Sequence, residues 1–281
     1  MIKVKIEIAK LLIYSLLIVM IAKYVLVYLL RRIAETLNLE ARTIGKIAGF
    51  ATSIPEILTV SFSTATGLVG ASIFNILSSN IINTIQYIFS IIINKNRKIL
   101  KNTAIKIDVF LSILTILIPI ILIALNIEME IFLVPLFLTF LIAFNIINRN
   151  MHRKYLKKFE IQIEEKRENG KTKNKKRKTT FYGIGLLIIG FVLFLIGDKL
   201  SIVLENLCNV FSTPEWVIGI MLGFITSLPE LITFFEAQRH HAKKENEELG
   251  VIEATNNLLS SNMTCLFIVQ SIGILIYAMI Y

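Results

Sequence analysis

The stretch IAKLLIYSLLIVMIAKYVLVYLL, residues 8–30, constrains this chain more than any other feature. Lys10 and Lys23 are its only charged residues. About 20 apolar residues in a helix cross the hydrocarbon core of a bilayer. The stretch has no small-residue cleavage site and is too long for a signal-peptide core, so it reads as a retained span. Further runs follow at 43–66, 68–93, 104–126, 130–148, 181–203, 214–238 and 252–280. They are continuous rather than alternating over about 10 residues, which excludes a β-barrel. With 55% hydrophobic residues and a mean hydropathy of +0.70, the expected fold is an all-α polytopic membrane protein of about eight transmembrane helices.

The net charge of +10 does not indicate nucleic acid, because the basic residues are segregated. The segments 31–46, 94–106, 149–180 and 239–249 hold 25 of the 30 lysines and arginines, and all four fall on one side of the predicted membrane. The short turn 126–130, on the other side, carries Glu128 and Glu130. The positive-inside rule then makes 149–180 a basic cytoplasmic linker and puts both termini outside a cell membrane. That linker divides the chain into a first half, 1–148, and a second half, 181–281. Two cysteines, Cys208 and Cys265, make no disulfide framework.

The halves contain a repeat. Residues 44–58 read IGKIAGFATSIPEIL and residues 218–232 read IGIMLGFITSLPELI. Downstream, 75–83 read NILSSNIIN and 257–265 read NLLSSNMTC. Chance likeness between leucine-rich helices matches apolar letters, not Thr, Ser, Pro, Glu and Asn together. The first motif lies on the second span and its copy on the seventh. Five crossings separate them, so the copies run in opposite directions. Inverted repeats are the architecture of many secondary transporters, with the site near the bilayer midplane where the copies meet.

The residue types fit a hard cation. Proline within a helix lacks an N–H donor, so Pro55 frees the carbonyl near Ala51 and Pro229 the one near Ile225. Thr52, Ser53, Thr226 and Ser227 place hydroxyls beside those carbonyls. Glu56 and Glu230 are ionisable residues within spans, each costing about 2.5–3.5 kcal/mol even on the lenient scale, which marks them as functional. Asn75, Ser79, Asn80 and Asn83 follow at helical spacing in the first copy, and Asn257, Ser261 and Asn262 in the second. Carboxylate, hydroxyl, amide and carbonyl oxygens suit Ca2+ or Na+; zinc or copper would require His and Cys. Two carboxylates balance one divalent cation. Gly45, Gly49, Gly219 and Gly223 read as close-packing residues.

These motifs resemble the α-repeats of the sodium/calcium exchanger family, within the calcium:cation antiporters, over about 44–90 and 217–275. The resemblance implies that Thr52, Ser53, Glu56, Ser79 and Asn83, with Thr226, Ser227, Glu230 and Ser261, are ion ligands. It implies exchange of Ca2+ for Na+, or for H+ in some branches, by alternating access, with no cofactor. Three departures stand out. Ser78 and Ser260 replace a family glycine. Cys265 stands where many sodium-coupled members carry a carboxylate. The connection from Glu230 to Ser261 is 8 residues longer than that from Glu56 to Ser79, and its polar stretch QRHHAKKENEELG is expected to lengthen a cytoplasmic loop in which His240 and His241 are solvated. Family members also carry two further helices, so a second copy or a helper subunit is expected to cover the surface they would occupy. The competing expectations are a Ca2+/H+ antiporter and a non-transporting Ca2+-binding membrane subunit. No hydrolase or phosphate-loop motif is present, which argues against an enzyme.

Overall fold

A computed structural model of the protein describes residues 2–37, 39–127, 130–167, 175–243 and 246–281. Every described regular element is helical. Helices α1 (Ile2–Ile21) and α2 (Val27–Leu37) are joined through a π-helical segment, Ala22–Leu26. Then come α3 (Ala41–Thr52), α4 (Ile54–Ala65) and α5 (Val69–Ile93). Next are α6 (Thr103–Ala124), α7 (Leu133–Arg167) and α8 (Lys175–Phe211). The second repeat is built from α9 (Glu215–Thr226), α10 (Leu228–Ala242) and α11 (Glu247–Met263). A π-helical segment, Thr264–Val269, leads into α12 (Gln270–Ile280).

Among the described residues, seven stretches are long and apolar enough to cross a membrane. The eighth predicted crossing, 43–66, is built from α3 and α4 end to end. Lys46, Glu56 and its hydroxyl residues make it less apolar than the others. Side-chain distribution is inverted relative to a soluble protein. Leu187 is 76% exposed and Phe191 64%, while Glu56, Asn80 and Glu230 are fully buried. Apolar atoms face outward, as lipid requires, and polar atoms face the interior.

Two pairs of helices make the most extensive crossings between the repeats. Helix α3 packs on α11, and α9 packs on α5. Both crossings rest on glycine. A Cβ at Gly45 would strike the Glu253 carbonyl, and one at Gly49 the Asn257 carbonyl. In the other crossing, a Cβ at Gly219 would come within 2.6 Å of the Ala71 carbonyl, and one at Gly223 within 2.7 Å of the Asn75 carbonyl. All four glycines therefore serve close backbone approach, as the sequence indicates. Around this core, α1 and α2 pack on α8, and α8 also covers α4. Leu11, Ile18, Leu193, Leu200, Ile218 and Leu222 form one apolar layer there, while Phe137, Phe144 and Phe267 fill another between α7 and the second π-helical segment.

The structure corrects two expectations about the polar segments. The 8 additional residues of the second repeat do not form a loop. Helix α10 runs to Ala242 and α11 begins at Glu247, so most of the insertion lengthens these two helices. Residues 149–167 and 175–180 of the predicted linker likewise continue α7 and α8. Their Lys and Glu residues are good helix formers. Residues 168–174, Glu128 and the Cys208 side chain lie outside the described part.

Candidate functional site: an acid-lined junction of the two repeats

The broken helices position the acids. Helix α3 ends at Thr52 and α4 starts at Ile54, with Ser53 between them at φ −82° and ψ 0°. Ser227 separates α9 from α10 with φ −79° and ψ −5°. The prolines are thus not in a helix interior. Pro55 and Pro229 each occupy the first turn of a new helix, where a missing N–H costs nothing. Each still leaves Ala51 or Ile225 without a donor four residues on. The Ser53 N–H is shared between the Gly49 carbonyl, at 3.3 Å, and that of Ala51, and the Ser227 N–H between the Gly223 carbonyl, at 3.2 Å, and that of Ile225. Glu56 and Glu230 fall in the first turns of α4 and α10. The positive ends of those helix dipoles favour a carboxylate.

Each acid is held from its own repeat. Ser79 Oγ donates to Glu56 Oε1 at 2.9 Å, and Ser261 Oγ donates to Glu230 Oε1 at 3.0 Å. The repeats then join. Ser79 Oγ lies 3.0 Å from Ser227 Oγ, and Ser261 Oγ lies 3.1 Å from Ser53 Oγ. Thr226 comes beside Glu56 and Thr52 beside Glu230. Asn80 Nδ2 donates to the Asn262 carbonyl at 3.4 Å, and Asn262 Nδ2 to the Asn80 carbonyl at 3.3 Å. Equivalent residues exchanging the same bond lie on a local twofold axis, the signature of an inverted repeat.

Asn83 Nδ2 donates to Ser261 Oγ and to Asn262 Oδ1, both at 3.3 Å. Its repeat counterpart is Cys265, fully buried with Sγ 3.7 Å from Ser53 Oγ. The sequence-predicted residues Thr52, Ser53, Glu56, Ser79, Asn83, Thr226, Ser227, Glu230 and Ser261 are therefore brought to one junction, with Ala51 and Ile225 at the two helix breaks.

The junction is rich in acceptors that lack donors. Glu56 Oε2, Glu230 Oε2, Asn75 Oδ1, Asn83 Oδ1 and Asn257 Oδ1 are buried without a hydrogen-bond partner. Many of the hydroxyl protons are already used. Thr52 donates to Ala48 O at 3.0 Å, Ser53 to Gly49 O at 2.8 Å, Thr226 to Leu222 O at 3.0 Å and Ser227 to Gly223 O at 2.6 Å. A buried acceptor without a donor costs about 1–3 kcal/mol. A cation among these oxygens removes that cost at several atoms together.

Sequence reasoning missed Thr59 and Thr233. Asn75 Nδ2 donates to Thr59 Oγ1 at 2.7 Å, and Asn257 Nδ2 to Thr233 Oγ1 at 2.5 Å. The threonines spend their own protons on carbonyls, Thr59 on Pro55 at 3.0 Å and Thr233 on Glu230 at 2.8 Å. They can only accept from the asparagines, which fixes each amide with Oδ1 turned away. The signal was present in the sequence, because both copies read T-S-x-P-E-x-x-T. Removing the hydroxyl strands a buried amide donor. Thr59→Val and Thr233→Val are each expected to weaken Ca2+ binding about tenfold, while Thr59→Ser, which keeps the acceptor, stays within about twofold of wild type. Equilibrium Ca2+ binding to the purified protein checks this.

An all-helical bundle in which two inverted repeats bring acids and neutral oxygens together defines a class, the inverted-repeat secondary transporters. The comparisons narrow it. The family model described as sodium/calcium exchanger protein matches residues 8–150, half of the chain, and the chain belongs to that family. The structure is similar to that of the sodium-calcium exchanger NCX_Mj soaked with 2.5 mM Na+ and 10 mM Sr2+, at 22% identity and a TM-score of 0.52, over 97% of this chain and 83% of that one. The same exchanger soaked with 2.5 mM Na+ and 0.1 mM Ca2+ gives 21% identity and a TM-score of 0.52, over 96% and 82%. No curated protein sequence matches the chain. The protein is therefore a multi-pass membrane protein of a cation-exchanger family.

Proposed function

We propose that the protein exchanges Ca2+ for Na+ by alternating access at the junction of the repeats. The observation that carries this reading is the set of buried, donorless oxygens around two carboxylates that come from opposite repeats. Glu56 and Glu230 balance the charge of one Ca2+ or two Na+. Thr52, Ser53, Ser79, Asn83, Thr226, Ser227 and Ser261, with the carbonyls of Ala51 and Ile225, supply neutral oxygen in place of the hydration shell. Because the acids sit on different halves of a pseudo-symmetric bundle, a rocking of one half against the other exposes the site to each side in turn. The basic segment around 149–180 faces the cytoplasm in this reading, and both termini face outside.

A third Na+ would leave net positive charge in a low-dielectric interior, where it is expensive. The Cys265 thiol, a soft and weak ligand for Na+, offers it no anchor. In proteoliposomes, an outward Na+ gradient is expected to drive Ca2+ uptake with little dependence on a clamped membrane potential, and Cys265→Asp to introduce such dependence. Flux driven by a H+ gradient at zero Na+ would establish proton coupling instead. No coupled flux under either gradient would leave Ca2+ binding without transport.

A further inference from the structure

Helix α10 carries Leu231, Phe235, Arg239 and Lys243 at four-residue steps, which places them on one face. That face turns from apolar to cationic over about 18 Å, at about 1.5 Å per residue. The length is close to one leaflet's share of a hydrocarbon core of about 30 Å. The face, with Ile232 beside it, forms one wall of a groove of about 700 Å3, and Tyr24 and Tyr28 at the junction of α1 and α2 form the other. Ligand sites typically measure about 300–1,000 Å3. The Arg239 guanidinium lies over the Phe235 ring, 5.4 Å from its centre, and that of Arg32 lies over Tyr28 at 5.1 Å. Among the described residues, Arg239 and Lys243 form no ion pair.

The first repeat closes the equivalent space. Leu58 corresponds to Ile232, and Ala65, the last residue of α4, corresponds to Arg239. Helix α8 lies directly on α4 there. The Phe62 and Phe194 rings are 5.4 Å apart, and a Cβ at Gly197 would come within 3.2 Å of Leu58. The second repeat instead leaves the floor of its groove uncovered and adds cations at the mouth. Gln238 Nε2 donates to Ser90 Oγ at 2.8 Å, and Asn96 Nδ2 donates to Gln238 Oε1 at 2.9 Å. The mouth therefore lies at the end of α5, on the side of the bundle to which α6 and α7 return the chain for residues 149–167.

We propose that this groove binds an anionic phospholipid of the cytoplasmic leaflet, with its phosphate between Arg239 and Lys243 and an acyl chain on Leu231, Ile232 and Phe235. Any lipid tail fits an apolar floor, so selectivity lies in the mouth. Two cations outweigh the one acid there, Glu236, and His240 stands beside them. A net positive mouth repels Ca2+ and Na+ and attracts a phosphate. Tyrosine suits the headgroup level, and the cytoplasmic leaflet is the anionic one. The proposal rests on the orientation given with the exchanger reading and is independent of which ions are exchanged.

The test titrates the purified full chain in detergent with dioleoyl phosphatidylglycerol, with dioleoyl phosphatidylcholine and with inorganic phosphate, reading bound lipid by native mass spectrometry and Tm by thermal shift. Phosphatidylglycerol is expected to bind at least about tenfold more tightly than phosphatidylcholine and to raise Tm further. Arg239→Gln with Lys243→Gln is expected to remove that preference while leaving Tm in phosphatidylcholine unchanged. Arg97 and Lys98 are exposed cations in the helical turn Asn96–Lys101, at the same end of the bundle. Arg97→Gln with Lys98→Gln is expected to leave phosphatidylglycerol binding within about twofold. Ile232→Trp, which fills the floor, is expected to weaken binding although both cations remain. Equal binding of the two lipids, or equal losses from the two pairs of cation changes, would overturn the site and leave only diffuse attraction. Inorganic phosphate matching the effect of phosphatidylglycerol would make it a free-anion site and overturn the lipid. If Ile232→Trp fails to fold, the cation pairs, which are surface changes, decide alone. Labelling that placed residues 149–180 outside would overturn the assignment to the cytoplasmic leaflet, whereas loss of lipid preference with Na+-driven flux intact would overturn the groove and leave the exchanger reading standing.

Discussion

Glu56→Gln and Glu230→Gln are each expected to reduce Na+-driven Ca2+ flux by at least about a hundredfold while leaving expression and membrane insertion intact. Each carboxylate supplies half of the charge that balances a divalent ion. Removing one charged partner from a buried pair costs about 3–5 kcal/mol, and each 1.4 kcal/mol is tenfold in affinity. The amide keeps the size of the side chain and can still accept from Ser79 or Ser261, which now donate to Glu56 and Glu230 at 2.9 and 3.0 Å. Insertion should not suffer, because a neutral amide is easier to place in a bilayer than an acid. The local twofold relation adds a sharper expectation. The two single variants should fail to similar degrees, since each acid occupies an equivalent place. Flux near the wild-type level in either variant would remove that acid from the ion site. The checks are vesicle flux and size-exclusion profiles measured on the same preparations.

Much of this site was legible in the sequence because two copies of one pattern are harder to produce by chance than one. The inverted relation followed from counting crossings, and the reciprocal bonds of Asn80 and Asn262 realise it. The reading faltered where local chemistry depends on tertiary partners. Pro55 and Pro229 look like residues that interrupt a helix, yet they begin one, because Ser53 and Ser227 have already turned the chain. QRHHAKKENEELG looks like a solvated loop by composition. It is mostly helix, and His241 is held against a buried acid, because a polar helix end is indistinguishable from a loop until its partner is known. Thr59 and Thr233 were overlooked for another reason. A threonine among apolar residues carries no charge to draw attention, and its importance comes from the amide it orients.

Gly49→Val and Gly223→Val are expected to prevent assembly of the core, with little monodisperse protein recovered and no Ca2+ flux from what remains. A side chain at Gly223 meets the Ser78 hydroxyl first and then backbone that cannot move aside: its Cβ would lie 2.7 Å from the Asn75 carbonyl and 2.8 Å from the Ser79 nitrogen. Those atoms belong to the turn that presents Ser79 to Glu56. Separating α9 from α5 therefore also draws Ser79 Oγ away from Ser227 Oγ, now 3.0 Å distant. Even Gly223→Ala overfills this contact. Inserting a methyl into a packed interior costs about 1–3 kcal/mol, and a loss of that size lowers Tm by roughly 2–6 °C in a chain of this length. The internal controls are Gly183 and Gly190 on α8, where an added Cβ meets nothing within 4 Å. Gly183→Ala and Gly190→Ala should leave Tm unchanged or slightly raised, since alanine is the better helix former by about 1 kcal/mol. Thermal-shift and flux measurements on the four alanine variants, Gly49→Ala and Gly223→Ala beside Gly183→Ala and Gly190→Ala, separate the two classes. Equal tolerance at all four positions would mean that the repeats do not meet through the α3–α11 and α9–α5 crossings, and that the acids are brought together in some other way.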